Sequence, residues 1–206
     1  MARITPVRSL KALRVAECKC RRCPLYKHAT QVVSGEGPAR ARILIVGEQP
    51  GDQEDKAGKP FVGPAGRILD QALADAGIER SAIFVTNAVK HFKFEPRGKR
   101  RLHKRPNAYE IDRCHWWLEF ELTLVKPEIL VALGTTAVRS LSGRPLAINK
   151  IRGHMIRLED GSRMLATIHP SYLLRIQGKA EKLAQYRQFV ADLRTCAKAL
   201  ATGASK

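Results

Sequence analysis

Short runs of branched apolar residues recur along the chain, separated by longer stretches in which apolar and polar positions alternate with helical spacing. Residues 42–47 (RILIVG), 82–86 (AIFVT) and 128–133 (EILVAL) are such runs. Each is too short for a buried helix and too apolar for an edge strand, so each reads as a strand buried on both faces. Residues 151–158 and 163–168 read as a strand pair turning at Asp160-Gly161. Between the strands, helices are expected over about 8–17, 64–76, 107–125 and 179–200, with others starting near Thr135-Thr136 and His169-Pro170-Ser171. Pro64 at a first turn, Gly77 beyond an end and Asn107 at an N-cap mark boundaries. Residues 87–106 read as a long irregular segment. Strands alternating with helices give an α/β fold with a mostly parallel sheet. No internal repeat or linker interrupts the pattern, so residues 1–206 are expected to form a single domain.

The polar motifs follow the strands. Glu48-Gln49 comes after the first, Asn87 after the second, Thr135-Thr136 after the third and His169 after the last. Ligands of open α/β sheets bind at the carboxyl ends of strands, so these motifs can share one cleft.

Charge narrows the class of partner. The 206 residues carry 37 Lys and Arg against 19 Asp and Glu, a net charge of +18. A surplus of that size points to polyanions, nucleic acid before membrane, since no basic amphipathic helix with an aromatic face is present. No run is long enough to span a bilayer, and the first ten residues lack the apolar stretch of a secretory signal. A cytoplasmic location is expected.

Five cysteines, Cys18, Cys20, Cys23, Cys114 and Cys196, argue against a disulfide framework. Cys20-x-x-Cys23 has chelate spacing for zinc or an iron–sulfur cluster, with Cys114 and His91 as candidate partners. Reduced, unrelated cysteines are the plainer alternative.

The other motifs also admit a plain reading. Glu48, among Gly47, Pro50 and Gly51, is either a polar turn or a carboxylate that activates a nucleophile or steadies a cation. Phe61 is either a core plug or a platform for a flipped base. Asn87 is either a turn former or an amide that reads a base edge. His169-Pro170-Ser171 is either an ordinary helix boundary or a phosphate contact. The basic run from Lys93 to Arg105, with GKRRLHKRP at 98–106, is either a solvated face or a phosphate clamp.

Taken in order, CRRCPL, GEQPG, GKPFVGPAG, TNAVKHF, KRRLH and HPSYLLR resemble the uracil-DNA glycosylase superfamily, its iron–sulfur branch, and within it the family X enzymes. The resemblance implies a three-layer α/β/α sandwich with a central four-stranded, mostly parallel sheet. It implies a structural [4Fe–4S] cluster on Cys20, Cys23, His91 and Cys114, tying down residues 1–40. His91 stands where family 4 enzymes carry a cysteine. Gln49, through its backbone, and Asn87 would hydrogen-bond uracil, with Phe61 stacked on it. Glu48 and His169 join the catalytic set, and Lys99, Arg100, Arg101 and Ser171 would hold DNA.

The KRRLH stretch, longer than the equivalent family 4 loop, implies that His103 attacks C1′ of the deoxyribose. The product would be a covalent protein–DNA adduct formed in a single turnover. Repulsion from Lys99, Arg100, Arg101, Lys104 and Arg105 is expected to keep His103 unprotonated. The expected partner is uracil-containing DNA, single-stranded by preference. No obligate protein partner is expected, and the chain is read as a monomer. Two alternatives remain: a multi-turnover glycosylase in which His103 only clamps DNA, and a DNA-binding module without chemistry.

Overall fold

The structure is a computed structural model that describes residues 7–203; residues 1–6 and 204–206 of the expected domain lie outside it. Its centre is a sheet of β1 (Ile43–Gly47), β2 (Phe84–Asn87), β5 (Ile129–Leu133), β6 (Met155–Arg157) and β7 (Arg163–Thr167), in the order β2-β1-β5-β7-β6. The first four are parallel and β6 runs antiparallel to β7. The sheet thus has five strands rather than the expected four. The extra one is the outer arm of the 151–168 pair, added by a tight turn that holds Gly161 at φ +85°.

Alternate residues of each strand enter opposite cores. Ile43, Ile45, Ile129, Val131 and Leu165 pack against α3 (Pro64–Asp75), α7 (Pro170–Arg175) and α8 (Lys179–Gly203). Leu44, Val46, Leu130, Ala132 and Met164 face α4 (Ala108–Val125) and α5 (Thr135–Ser142), with α6 (Ile148–Ile151) beside them. Covering helices on both faces explain why β1 and β5 are apolar at every position. A third core joins α1 (Leu10–Glu17) to α4 through Leu13, Ile111 and Trp117. Among the described residues no helix is long and apolar enough to cross a membrane.

Two segments expected to be irregular are ordered. Asp52–Ala57 is a short helix, α2. Its first turn carries Asp52, Glu54 and Asp55, which suit the positive end of a helix dipole, and Gly58 ends it at φ +66°. Within 87–106, β3 (Phe94–Arg97) and β4 (Arg100–His103) form an antiparallel hairpin around Gly98-Lys99. Gly98 takes φ +58°, a conformation that favours glycine at a two-residue turn.

β1 is central, with β2 on one side and β5 on the other, and the chain passes from β2 across β1 to β5. The strand order therefore reverses between β1 and β5. The loops after these two strands splay apart there, and a crevice opens between them.

Candidate functional site

A cleft of about 1090 Å³ occupies that crevice. Glu48, Gln49, Phe61, Asn87, His103, Thr135, His169 and Ser171 all border it, so the polar motifs that follow separate strands do meet.

The floor is set by glycine. A Cβ at Gly47 would lie 2.4 Å from Asn87 Oδ1 and 2.7 Å from the Phe61 ring. Only a bare backbone lets the amide and the ring approach each other. Phe61 itself has φ +57°, a strained conformation for a side chain of that size. Two contacts hold it there. Glu54 accepts the Gly51 and Gly63 amides at 3.1 and 2.7 Å, pinning both ends of the loop. Gly66 packs so closely beneath that a Cβ would sit 1.8 Å from the Phe61 carbonyl oxygen. The ring lies 6.3 Å from that of His169, nearly parallel to it. Asn87 is buried, yet among the described residues its amide hydrogen-bonds to no protein group. Its amide donor and acceptor are left free at the cleft wall, where a polar ligand can use both.

Opposite the floor stands a carboxylate–imidazole pair. His103 Nε2 lies 3.2 Å from Glu48 Oε1. Thr136 Oγ1 donates to Glu48 Oε2 at 2.6 Å, joining the loops after β1 and β5. Burial raises the affinity of Glu48 for a proton, but the bonds to His103 and Thr136 outweigh it and hold the carboxyl below its ordinary range. Glu48 is therefore ionised at neutral pH and can orient the ring or take its proton.

His169 caps α7. Its Nδ1 accepts the Ser171 amide at 3.2 Å and lies 2.8 Å from Ser171 Oγ. An accepting Nδ1 leaves the proton of the neutral ring on Nε2, and the hydroxyl must be the other donor. Burial pushes this imidazole down to about 4, against a weaker pull from Glu48. Ser171 thus already spends its proton on His169 and has only its lone pairs left to offer a ligand.

The hairpin that carries His103 is fastened from below. Arg101 pairs with Asp52 through Nε and with buried Asp55 through Nη1, both at 2.6 Å, and lies over the rings of Phe92 and Phe94. Gln49 uses its side chain at the hairpin's base. Its Nε2 donates to the carbonyls of Lys93 and Lys104, and its Oε1 accepts the Lys93 amide at 3.0 Å. Gln49 borders the cleft with its side-chain amide already engaged.

Of the cations expected around DNA, Lys99 and Arg100 are exposed at the hairpin tip. Arg101 is engaged by carboxylates instead. The like-charge repulsion expected around His103 is correspondingly weaker. Arg101 and Lys104 are each paired with acids, Lys104 with Glu95. Arg105 Nε also lies 3.8 Å from Glu48 Oε2, which leaves Lys99 and Arg100 as the cations of the five without an acid partner among the described residues, and the charged group in contact with the ring is the Glu48 carboxylate.

Cys20, Cys23, Cys114 and His91 are all buried, and the three sulfurs share the α1–α4 core. Trp117 Nε1 donates to Cys20 Sγ at 3.0 Å and the Lys90 amide to Cys114 Sγ at 3.2 Å. Burial pushes the Cys114 thiol up to about 12 and raises that of Cys23. Buried sulfurs that accept N–H bonds suit thiolates made stable by metal. Among the described residues no three His, Cys, Asp or Glu side chains converge as ligands of one ion do. A cluster spreads its ligands over separate irons, so the donor set still fits one. Cys196 is buried against α3 and β7, and Cys18 is exposed.

Several contributors were not read from the sequence. Asp52, Asp55 and the Gln49 side chain act only through folding, and Thr136, expected at the cleft, adds a bond to Glu48 that no local pattern announced. Glu121 left a signal: it falls in register with Glu110, Cys114 and Trp117 on the buried stripe of α4. A carboxylate on a core stripe needs a partner.

An α/β sheet with Glu48, Phe61, Asn87 and His169 gathered in one cleft at its reversal point defines the class. Residues 34–194 match the uracil DNA glycosylase superfamily, and the chain belongs to it. A type-4 uracil-DNA glycosylase of Thermotoga maritima is 40% identical over 158 residues, covering 76% of this chain and 79% of the relative. A type-4 enzyme of Pyrobaculum aerophilum is 33% identical over 173 residues, covering 79% and 85%. A type-5 uracil-DNA glycosylase from the same organism is 32% identical over 155 residues, covering 66% and 64%.

Proposed function

We propose that this protein excises uracil from DNA and is then captured on the abasic sugar through His103. The observation that carries the proposal is the His103–Glu48 pair at 3.2 Å across the cleft from Asn87 and Phe61. Uracil stacks on Phe61, with the Asn87 amide and the Gln49 main chain on its polar edge. Asn87 suits uracil because N3–H and O4 match a carbonyl and an amino group, while cytosine presents the reverse order. The C1′–N1 bond breaks with its electron pair leaving on uracil, and C1′ becomes oxocarbenium-like. His169 borders the cleft, and its Nε2–H would serve as a donor to the negative charge that develops on uracil. The unprotonated nitrogen of His103 then bonds to C1′ and the other ring nitrogen passes its proton to Glu48. An alkylated imidazole has no easy exit, so each protein acts once.

Cys20, Cys23, His91 and Cys114 would hold a [4Fe–4S] cluster that ties α1 and the start of the 91–106 segment to α4. When bound, the cluster supplies structural cross-linking rather than chemistry at the cleft. Lys99 and Arg100 meet DNA phosphate. The whole chain acts as one domain, as a monomer, on single-stranded substrate by preference.

The test is direct. Uracil-containing single-stranded DNA should give a protein–DNA band that survives boiling in SDS. The band should vanish with His103→Ala or with thymine in place of uracil, and its persistence in either control overturns the adduct. The similarity to type-4 enzymes favours a second reading, multi-turnover excision with His103 clamping DNA. Uracil released in molar excess over protein would select it.

A further inference from the structure

Behind the cleft, on the far side of β2, lies a charge pair that the reaction above does not use. Lys90 is fully buried, and its Nζ donates to Glu121 Oε2 at 2.6 Å, to Thr86 Oγ1 at 2.5 Å and to the Asn87 carbonyl at 2.9 Å. Glu121 Oε1 in turn accepts the Thr86 hydroxyl and the Gly35 amide, each at 3.0 Å. All three donors of the ammonium are thus satisfied, and one of them ends on the residue at the floor of the cleft. A buried ion pair is a poor source of stability, because desolvation offsets its Coulombic gain, and apolar replacements of similar volume are often neutral. What this pair does specifically is fix a peptide. The chain turns sharply after β2, with Ala88 N–H bonded to the Gly47 carbonyl and Val89 N–H to that of Glu48. The ammonium grips the same turn from the opposite side, so the Asn87 backbone is clamped between β1 and Lys90.

We propose that the buried Lys90–Glu121 pair is a specificity-determining positioning device, setting the Asn87 amide at the distance and tilt that uracil requires. It rests on the reading that Asn87 recognises uracil. The pair acts through Asn87 and touches neither substrate nor the reacting atoms.

The test compares Lys90→Met/Glu121→Leu, which removes both charges together, with the unaltered protein. Single-turnover excision is measured on uracil and on 5-fluorouracil in the same DNA. Fluorine stabilises the departing anion by itself, so 5-fluorouracil depends less on a well-placed amide. The uracil rate is expected to fall about tenfold or more, the loss typical of a displaced hydrogen bond, and the 5-fluorouracil rate by clearly less. Iron content and affinity for uracil-free DNA should be unchanged. Equal losses on both bases, or no loss, overturn the proposal, since a merely structural role lowers the active fraction for both alike. If the double variant does not fold, Thr86→Val removes only the hydroxyl that Lys90 and Glu121 share, and the same unequal loss is required of it. Asn87→Ala separates the two ideas. If it leaves uracil excision intact, the reading of Asn87 fails; if it abolishes excision while the Lys90 and Thr86 variants are silent, only the positioning role fails.

Discussion

Glu48 and His169 show how two residues of one cleft are held in different charge states. The hydrogen bonds of Glu48 come from groups that favour its anion, whereas His169 is packed where a cation has little solvation. Glu48→Gln keeps the shape and the Thr136 contact but cannot accept a proton. Adduct formation should slow about 100-fold, the usual loss with a general base, while binding of uracil-free DNA is unchanged; a time course of the SDS-stable band measures it. His169 predicts a pH effect on stability. Its folded value, about 4, lies below the ordinary 6.5, so the unfolded chain takes up the proton first as pH falls. The stability is complete above pH 6.5 and declines as pH drops from there toward 4, by on the order of 2 kcal/mol. Thermal melts of wild type and His169→Asn should therefore show wild type losing more between pH 7 and 4. A parallel pair of melting curves would contradict the burial argument.

At the level of elements, the hairpin carrying His103 depends on α2 more than on its own ladder. Arg101→Ala would strand Asp55 as a buried carboxylate without its guanidinium, a change expected to cost about 3 kcal/mol. It should lower the melting temperature and speed proteolysis at Gly98-Lys99, with a smaller yield of adduct. Neither the hairpin nor α2 was legible in the sequence, and the reasons differ. Pro96 and the crowd of charges in FEPRGKRRLH hide the period-two pattern, and a proline argues against a strand unless it lies at an edge, where this one does. α2 has too few apolar residues for a helical stripe, and its acidic first turn was the only clue. The buried strands and the long helices were legible, because burial on both faces or along one stripe imposes a period directly on the residue types. The ends of the strands were legible as polar motifs. That Thr136 would reach Glu48, or Arg101 reach Asp52, depends on strand order, which no local pattern encodes.

Across the whole molecule, the +18 charge and the three cysteines buried together in the α1–α4 core point to separate partners, a polyanion outside and a metal inside. Purified protein should carry about four irons and show sulfur-to-iron absorbance. Cys114→Ala should lose both and melt at lower temperature, whereas zinc alone would contradict the cluster. The anchoring of the hairpin has a consequence for any attempt to move its chemistry elsewhere. Much of what fixes the loop, from Gln49 through Asp52 and Asp55 to Arg101 and Lys104, falls inside one continuous piece of chain, with Thr30, Glu110 and Thr135 reaching Arg101, Lys93 and Arg105 from outside it. Transplanting only the KRRLH stretch into a type-4 relative would deliver a histidine on an unmoored ribbon. A transfer of residues 48–106 carries the anchoring carboxylates along, and a recipient would still need counterparts of Thr30, Glu110 and Thr135 and a hydroxyl where Thr136 meets Glu48.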